Sequence, residues 1–102
     1  MKISRNIYDL LQSEDLAVRD DYSGRYMYGD RCFGIDVDNP ATAVYSIVET
    51  LRRIVEYHAS EPDTVEEAEE LIKSDCWLDS KMDSMGLGYI VYFPDIQVKE
   101  ED

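Results

Sequence analysis

The apolar positions in the first third of the chain change from a helical period to a strand period. Ile7, Leu10 and Leu11 follow the i, i+3, i+4 spacing that places side chains on one face of a helix, which predicts a short helix over residues 6–12. Residues 16–19 and 31–37 predict two strands, because apolar and small or polar residues alternate in the second of them. The glycine- and aspartate-containing segment 20–30 predicts a long hairpin connection, in which residues 26–28 extend a strand.

The middle of the chain predicts two helices. Asn39 and Pro40 are residue types favoured at the cap and at the first position of a helix, so we expect a long helix from there to about Ser60. Thr64 and Glu67 have the spacing of a capping box and predict the start of a third helix. The apolar stripe of the long helix is Val44, Ile47, Val48, Leu51, Ile54, Val55 and His58, and that of the third helix is Val65, Ala68, Leu71 and Ile72.

The last part of the chain holds the strongest strand signal, over residues 87–93, which are rich in β-branched and aromatic residues and precede Pro94. Ile96 and Val98 predict a further short strand. Residues 74–88 show no clear period, and we expect Trp77 and Leu78 to anchor them to the core. The order α-β-β-α-α-β predicts an α+β fold, in which a small, largely antiparallel sheet of three or four strands carries helices on one face.

Composition is that of one folded domain. The chain has 102 residues, 44% of them hydrophobic, so we expect residues 1–102 to form a single domain with a frayed acidic tail at 99–102. The longest apolar run, residues 89–93, is too short to span a membrane. Two cysteines do not make a disulfide scaffold. These features predict a soluble cytoplasmic protein with reduced thiols.

Charge is distributed unevenly. The net charge is −13, and all but three of the basic residues lie in residues 1–53; the exceptions are Lys73, Lys81 and Lys99. The second half of the chain is therefore a polyanion, which attracts cationic surfaces and repels nucleic acids and anionic lipids. We expect no direct binding to nucleic acid or membrane.

The excess of acid is concentrated on the predicted third helix. Asp63, Glu66, Glu67 and Glu70 project into one arc opposite its apolar face, and Asp75 and Asp79 extend the negative charge. One interpretation is a solvated face that keeps a small protein soluble. The other is a row of carboxylates about 5–6 Å apart that imitates successive phosphates and occupies a Lys- and Arg-lined nucleic-acid channel.

A cluster of tyrosines provides a second candidate contact surface. Tyr22, Arg25, Tyr26 and Tyr28 lie in the glycine-bounded connection, and residues of this kind are enriched at binding hot spots. The alternative is that one or two of these rings fold back over the sheet.

The same connection carries a resemblance. Residues 20–29, D-D-Y-S-G-R-Y-M-Y-G, resemble a D-Y-S-G-R-x-M-Y-G segment found in short acidic proteins of phages, prophages and their bacterial hosts. The resemblance implies a phage or prophage origin. By analogy with that class, which includes anti-CRISPR proteins, it implies an inhibitor of host defence that acts in the host bacterial cytoplasm.

Residues that could support chemistry do not form a recognisable site. His58 falls on an apolar stripe and is interpreted as a packing or capping residue, and a Cys–His nucleophile with Cys32 or Cys76 is less expected than buried structural cysteine. The acids of the hairpin connection, Asp20, Asp21 and Asp30, could bind a divalent ion, but turn acids more often accept backbone N–H groups. We therefore predict no catalytic residue, no metal and no cofactor.

Two functions follow from the sequence. The first is a non-enzymatic, anti-CRISPR-like inhibitor whose acidic surface mimics nucleic acid and binds a basic nucleic-acid-handling protein, such as a CRISPR effector. The second is an acidic interaction module, with a homodimer as one possible form, that binds through the tyrosine-rich connection or the edge of the last strand.

Overall fold

The computed structural model describes residues 2–23, 31–83 and 86–100 and has the α+β fold that the sequence predicts. Its centre is a four-stranded antiparallel sheet in the order β2-β3-β5-β4. A small parallel pair, β1 with β6, lies beside it. The elements are β1 Lys2–Ile3, α1 Arg5–Ser13, β2 Ala17–Tyr22, β3 Cys32–Val37, α2 Ala43–Tyr57, α3 Pro62–Lys73, β4 Trp77–Asp83, β5 Gly86–Phe93 and β6 Gln97–Val98.

The helices cover one side of the sheet, which we call the inner face. Alternate residues of β3 and β5 pair there, Phe33 with Phe93 and Ile35 with Val91, and they pack against the apolar stripes of the helices. The helical side chains of this core are Ile7, Leu11, Ala43, Ile47, Leu51, Ile54, Ala68 and Leu71. The predicted stripes of the second and third helices are thus confirmed at their central positions.

The other side of the sheet, the outer face, carries a second and smaller cluster. Tyr22, Cys32, Ile90 and Tyr92 are its buried members. The rings of Tyr22 and Tyr92 are in contact, with centroids 4.9 Å apart. This cluster therefore buries apolar residues on the side of the sheet that the described helices do not cover.

Both predicted helix caps are wrong by a few residues. The Asn39 side chain accepts a hydrogen bond from the Ala41 N–H at 3.0 Å, so it stabilises a turn, and α2 begins only after Thr42. α3 begins at Pro62, since proline fits the first turn of a helix. Thr64 lies inside α3 and is buried, where its hydroxyl accepts from Asn6 Nδ2 at 3.2 Å.

The largest difference from the sequence prediction is β4, a strand in a segment without a clear period. Trp77 and Leu78 do not anchor this segment to the core, because their exposed fractions are 61% and 46%. β4 lies at the edge of the sheet and pairs with β5 along its whole length. Consequently β5, the last long strand, is interior, so it offers no free edge for the contact proposed for an interaction module.

No helix within residues 2–23, 31–83 and 86–100 has the length and apolar character needed to cross a membrane.

Candidate functional site

Four acidic residues of α3 line one recess on the protein surface. Asp63, Glu66, Glu67 and Glu70 form one side of it, as the helical projection predicts. The remaining lining consists of Thr64, which is also on α3, of Lys2 on β1, Asn6 on α1 and Ser4 between those two elements, and of Lys99 near the end of the chain. Asp63, Glu66, Glu67 and Glu70 are therefore gathered on one surface, with two lysines near them.

Three of these acids have charges that the described residues leave unpaired. Asp63, Glu66 and Glu70 are exposed, and no described lysine, arginine or histidine nitrogen lies within 4.0 Å of their carboxylates. Lys73, which has helical spacing to Glu70, forms no such pair. We refer to Asp63, Glu66 and Glu70 as the α3 carboxylates; their mutual repulsion is offset in part by the helix dipole near Asp63.

Four described arginines form ion pairs with acids of the first half of the chain. Arg5 pairs with Asp20 at 2.6 Å, and Arg19 with Asp21 at 3.0 Å. Arg52 and Arg53 of α2 pair with Glu49 and Glu14, respectively. These ion pairs neutralise acids of residues 1–53 and involve none of the α3 carboxylates.

Glu67 differs from its neighbours because its carboxylate forms hydrogen bonds within the protein. It is half-buried, and its Oε1 accepts the Ser4 backbone N–H at 2.9 Å while its Oε2 accepts the Ser4 hydroxyl at 2.6 Å. The Ser4 hydroxyl oxygen in turn accepts the Ile7 N–H at 3.3 Å. Glu67 thus completes the N-terminal cap of α1 from another helix, which is the role that a capping-box glutamate would have within the same helix. The predicted capping box of Glu67 with Thr64 is wrong.

The two remaining acidic candidates lie elsewhere. Asp75 is exposed in the connection between α3 and β4. Asp79 belongs to the outer face, where its Oδ2 accepts the Tyr22 hydroxyl at 2.9 Å and its Oδ1 accepts the Ser80 N–H at 2.9 Å. The sheet separates Asp79 from α3, so Asp79 does not extend the surface formed by the α3 carboxylates.

Tyr22 covers the sheet and is not an exposed contact residue. Its side chain is buried in the outer-face cluster, in agreement with the alternative that some of these rings fold back. Burial first, and then the hydrogen bond to Asp79, raises the pKa of the Tyr22 hydroxyl far above its usual value. The other candidates of this group, Arg25, Tyr26 and Tyr28, lie outside the described residues.

The cysteines have the surroundings of protonated thiols. Burial raises the pKa of Cys32 from 9.0 to about 11. Burial, together with the charge of Asp75, also raises the pKa of Cys76. Because the thiolate is the reactive form, neither group is activated as a nucleophile.

His58 and two of the hairpin acids contact neighbouring polar side chains. His58 Nδ1 lies 2.5 Å from Glu61 Oε2, and Asp20 and Asp21 pair with Arg5 and Arg19. Within the described ranges no three His, Cys, Asp or Glu side chains are arranged to hold a metal ion. Asp30, the third hairpin acid, lies outside those ranges.

Comparison of the chain with models of protein families, with curated proteins and with solved structures gives no match. Function is therefore inferred from charge, exposure and geometry. The α3 carboxylates form an exposed anionic surface, and the chemistry it offers is attraction of a cationic group.

Proposed function

We propose that this protein is a non-enzymatic inhibitor that uses the α3 carboxylates to bind a Lys- and Arg-lined surface of a nucleic-acid-handling protein, and thereby competes with nucleic acid. A CRISPR effector in a host bacterial cytoplasm is the kind of target we propose, on the basis of the D-Y-S-G-R segment of residues 21–25. The observation that supports binding is that Asp63, Glu66 and Glu70 are exposed on one helical face without a described cation within 4.0 Å.

Helix geometry makes these carboxylates a row. Asp63 and Glu66 are three residues apart and Glu66 and Glu70 are four apart, so they are successive neighbours on one face. At a rise of about 1.5 Å per residue the row is roughly 10 Å long. A nucleic-acid strand likewise presents regularly spaced negative charges to its protein, so a channel that binds phosphates can accept this row.

Electrostatics predicts the behaviour of such a complex. The net charge of −13 attracts a basic partner over distance, and contact through exposed carboxylates makes association fast and sensitive to salt. Glu67 is excluded from the proposed contact because it holds Ser4. Asp75 remains a peripheral candidate, since it is exposed at the end of α3.

Displacement of proteins from DNA tests the proposal. A bacterial lysate is adsorbed on DNA-cellulose at low salt, and the column is eluted with wild-type protein or with a variant. We expect wild type to release DNA-binding proteins and Asp63→Asn/Glu66→Gln/Glu70→Gln to release few of them. The matched control, Asp9→Asn/Asp38→Asn/Glu56→Gln, removes the same charge at exposed positions that do not line the recess, and it should act like wild type.

Two results would contradict the proposal. If wild type releases nothing that buffer alone does not release, the protein does not compete with DNA. If the α3 variant and the control are equally active, the row of carboxylates is not the contact surface.

One observation favours the alternative of a protein interaction module. Trp77 and Leu78 are exposed on β4, which is a surface distinct from the α3 carboxylates.

A further inference from the structure

β4 is an edge strand with a free side and exposed apolar residues. Among the described strands it pairs with β5 alone, so the backbone groups on its other side have no strand partner. Trp77 and Leu78 at its start are 61% and 46% exposed. Natural sheets usually protect such an edge, because it readily pairs with another strand.

We propose that β4 pairs with β4 of a second copy of this chain, antiparallel and centred on Ser80, so that two sheets join into one. This inference concerns a different surface from the proposed function. It is independent of the α3 carboxylates and stands or fails separately.

The central residues of β4, from 78 to 82, are complementary to themselves in this register. The strand reads W-L-D-S-K-M-D from Trp77 to Asp83. With Ser80 opposite Ser80, Asp79 of each copy lies opposite Lys81 of the other, and the pair occurs twice by symmetry. Leu78 lies opposite Met82 of the other copy, which matches an exposed apolar residue with a second apolar residue.

The neighbouring registers are disfavoured by charge. A shift of the centre to position 79 places Asp79 opposite Asp79, and a shift to position 81 places Lys81 opposite Lys81 and Asp79 opposite Asp83. Like charges directly opposite each other destabilise a strand pair. A register centred between two residues would place the inner face of one sheet beside the outer face of the other, because side chains alternate between the two faces with a period of two. Such registers are therefore excluded. Charge therefore selects the register centred on Ser80.

The backbone at the centre of the strand is suited to this pairing. The Ser80 N–H donates to the carboxylate of its own neighbour, Asp79, at 2.9 Å. Because this N–H bonds to a side chain, it is not needed for a hydrogen bond to β5. We therefore assign Ser80 to the residues whose backbone N–H and C=O groups point to the free edge of the sheet. In the dimer this N–H donates to the Ser80 carbonyl of the other copy, which releases Asp79 Oδ1 from its bond to Ser80.

Sedimentation equilibrium and tryptophan fluorescence test the dimer. The chain has one tryptophan, Trp77, and it lies exposed on β4, so its emission reports directly on this strand. At about 150 mM salt, where the Debye length is about 8 Å and repulsion between the two acidic copies is screened, we expect a concentration-dependent dimer and a blue shift of Trp77 emission. A protein that stays monomeric at millimolar concentration overturns the proposal.

Charge variants test the register. Lys81→Asp places aspartates opposite each other twice, and we expect it to raise the dimer dissociation constant at least about tenfold. The control Lys73→Asp makes the same charge change on exposed α3 and should dimerise like wild type. Equal dimerisation of the two variants overturns the proposal.

A mixing experiment gives a second and positive result. Asp79→Lys alone should also be monomeric, since lysines then lie opposite each other. A mixture of Asp79→Lys with Lys81→Asp should form a heterodimer, because every opposed pair is then of unlike charge. Absence of a heterodimer, when circular dichroism shows both variants folded, contradicts the register. If Asp79→Lys does not fold, the comparison of Lys81→Asp with Lys73→Asp decides the question.

Discussion

The Tyr22 hydroxyl donates a hydrogen bond to Asp79 Oδ2 at 2.9 Å, and this bond joins the two edge strands of the sheet, β2 and β4, across its outer face. The sequence alone predicts separate contact surfaces for the two residues, with Tyr22 as an aromatic anchor and Asp79 as a phosphate surrogate. In the fold they are partners. The bond holds the Tyr22 ring over the sheet and fixes the side chain of Asp79 on β4, the strand that we propose for dimerisation.

Removal of the Tyr22 hydroxyl should destabilise the protein. Tyr22→Phe keeps the ring in the cluster but leaves Asp79 Oδ2 without this donor, so we expect the free energy of unfolding to fall by about 1.5–2 kcal/mol. Urea denaturation measures the change. Tyr45→Phe is the control, because Tyr45 is 70% exposed and its hydroxyl makes no hydrogen bond with the described residues. Equal stability of the two variants would show that the bond contributes nothing.

Alkaline pH should weaken the contribution of Cys32 to stability. The pKa of this thiol is raised by burial from 9.0 to about 11, so the folded state favours the neutral form. Its stabilising contribution is therefore complete below pH 9 and is lost as the pH rises toward 11, where the unfolded thiol is already ionised.

Comparison with Cys32→Ala isolates this effect. The difference in the free energy of unfolding between wild type and Cys32→Ala should shrink by about 1–2 kcal/mol from pH 8 to pH 10.5, since one pKa unit corresponds to about 1.4 kcal/mol. Urea denaturation at several pH values, under reducing conditions, gives the two curves. A difference that is constant with pH would show that Cys32 does not titrate differently in the two states.

Glu67 and Glu66 are adjacent in sequence and should behave differently on mutation. Glu67→Gln weakens the bonds that Ser4 makes with a charged acceptor, so we expect a loss of about 1–2 kcal/mol of stability. Glu66→Gln removes an exposed charge from a repulsive row and should be neutral or slightly stabilising.

A double-mutant cycle identifies the partner. Glu67→Gln and Ser4→Ala should be less destabilising together than the sum of their separate effects, because both act on the hydrogen bond between the Ser4 hydroxyl and Glu67 Oε2. Additive effects, or equal stability of Glu66→Gln and Glu67→Gln, would contradict the assignment of Glu67 to the cap of α1.

The elements that sequence predicts well are those with a regular or continuous apolar pattern. α2 and α3 have a regular apolar stripe, and residues 90–93 of β5 are continuously apolar because side chains on both faces of the sheet are buried there. β4 is missed because an edge strand with exposed residues on both faces, such as Trp77 and Leu78, carries no period-two signal. β1 and β6 are missed or incompletely predicted because a pair of two-residue strands depends on contacts between the two ends of the chain.

The candidate site is predicted only in part for a similar reason. A helical wheel places Asp63, Glu66, Glu67 and Glu70 on one surface, since that arrangement is local. It cannot show that the Glu67 carboxylate accepts hydrogen bonds from Ser4, because the two residues are 63 positions apart in the sequence. For the same reason sequence patterns do not predict the hydrogen bond between Tyr22 and Asp79, which are 57 positions apart.

Titration with an oligolysine peptide tests the central claim most directly, because it asks whether a cationic partner recognises the α3 carboxylates or only the net charge. The three proteins compared are wild type, Asp63→Asn/Glu66→Gln/Glu70→Gln, and the control Asp9→Asn/Asp38→Asn/Glu56→Gln, which has the same net charge as the α3 variant. Isothermal titration at low and at high salt gives the affinities. We predict that the α3 variant loses at least about tenfold in affinity at low salt, that the control stays within about threefold of wild type, and that high salt removes the difference. Equal affinities of the two variants would contradict the claim that the α3 carboxylates form the recognition surface.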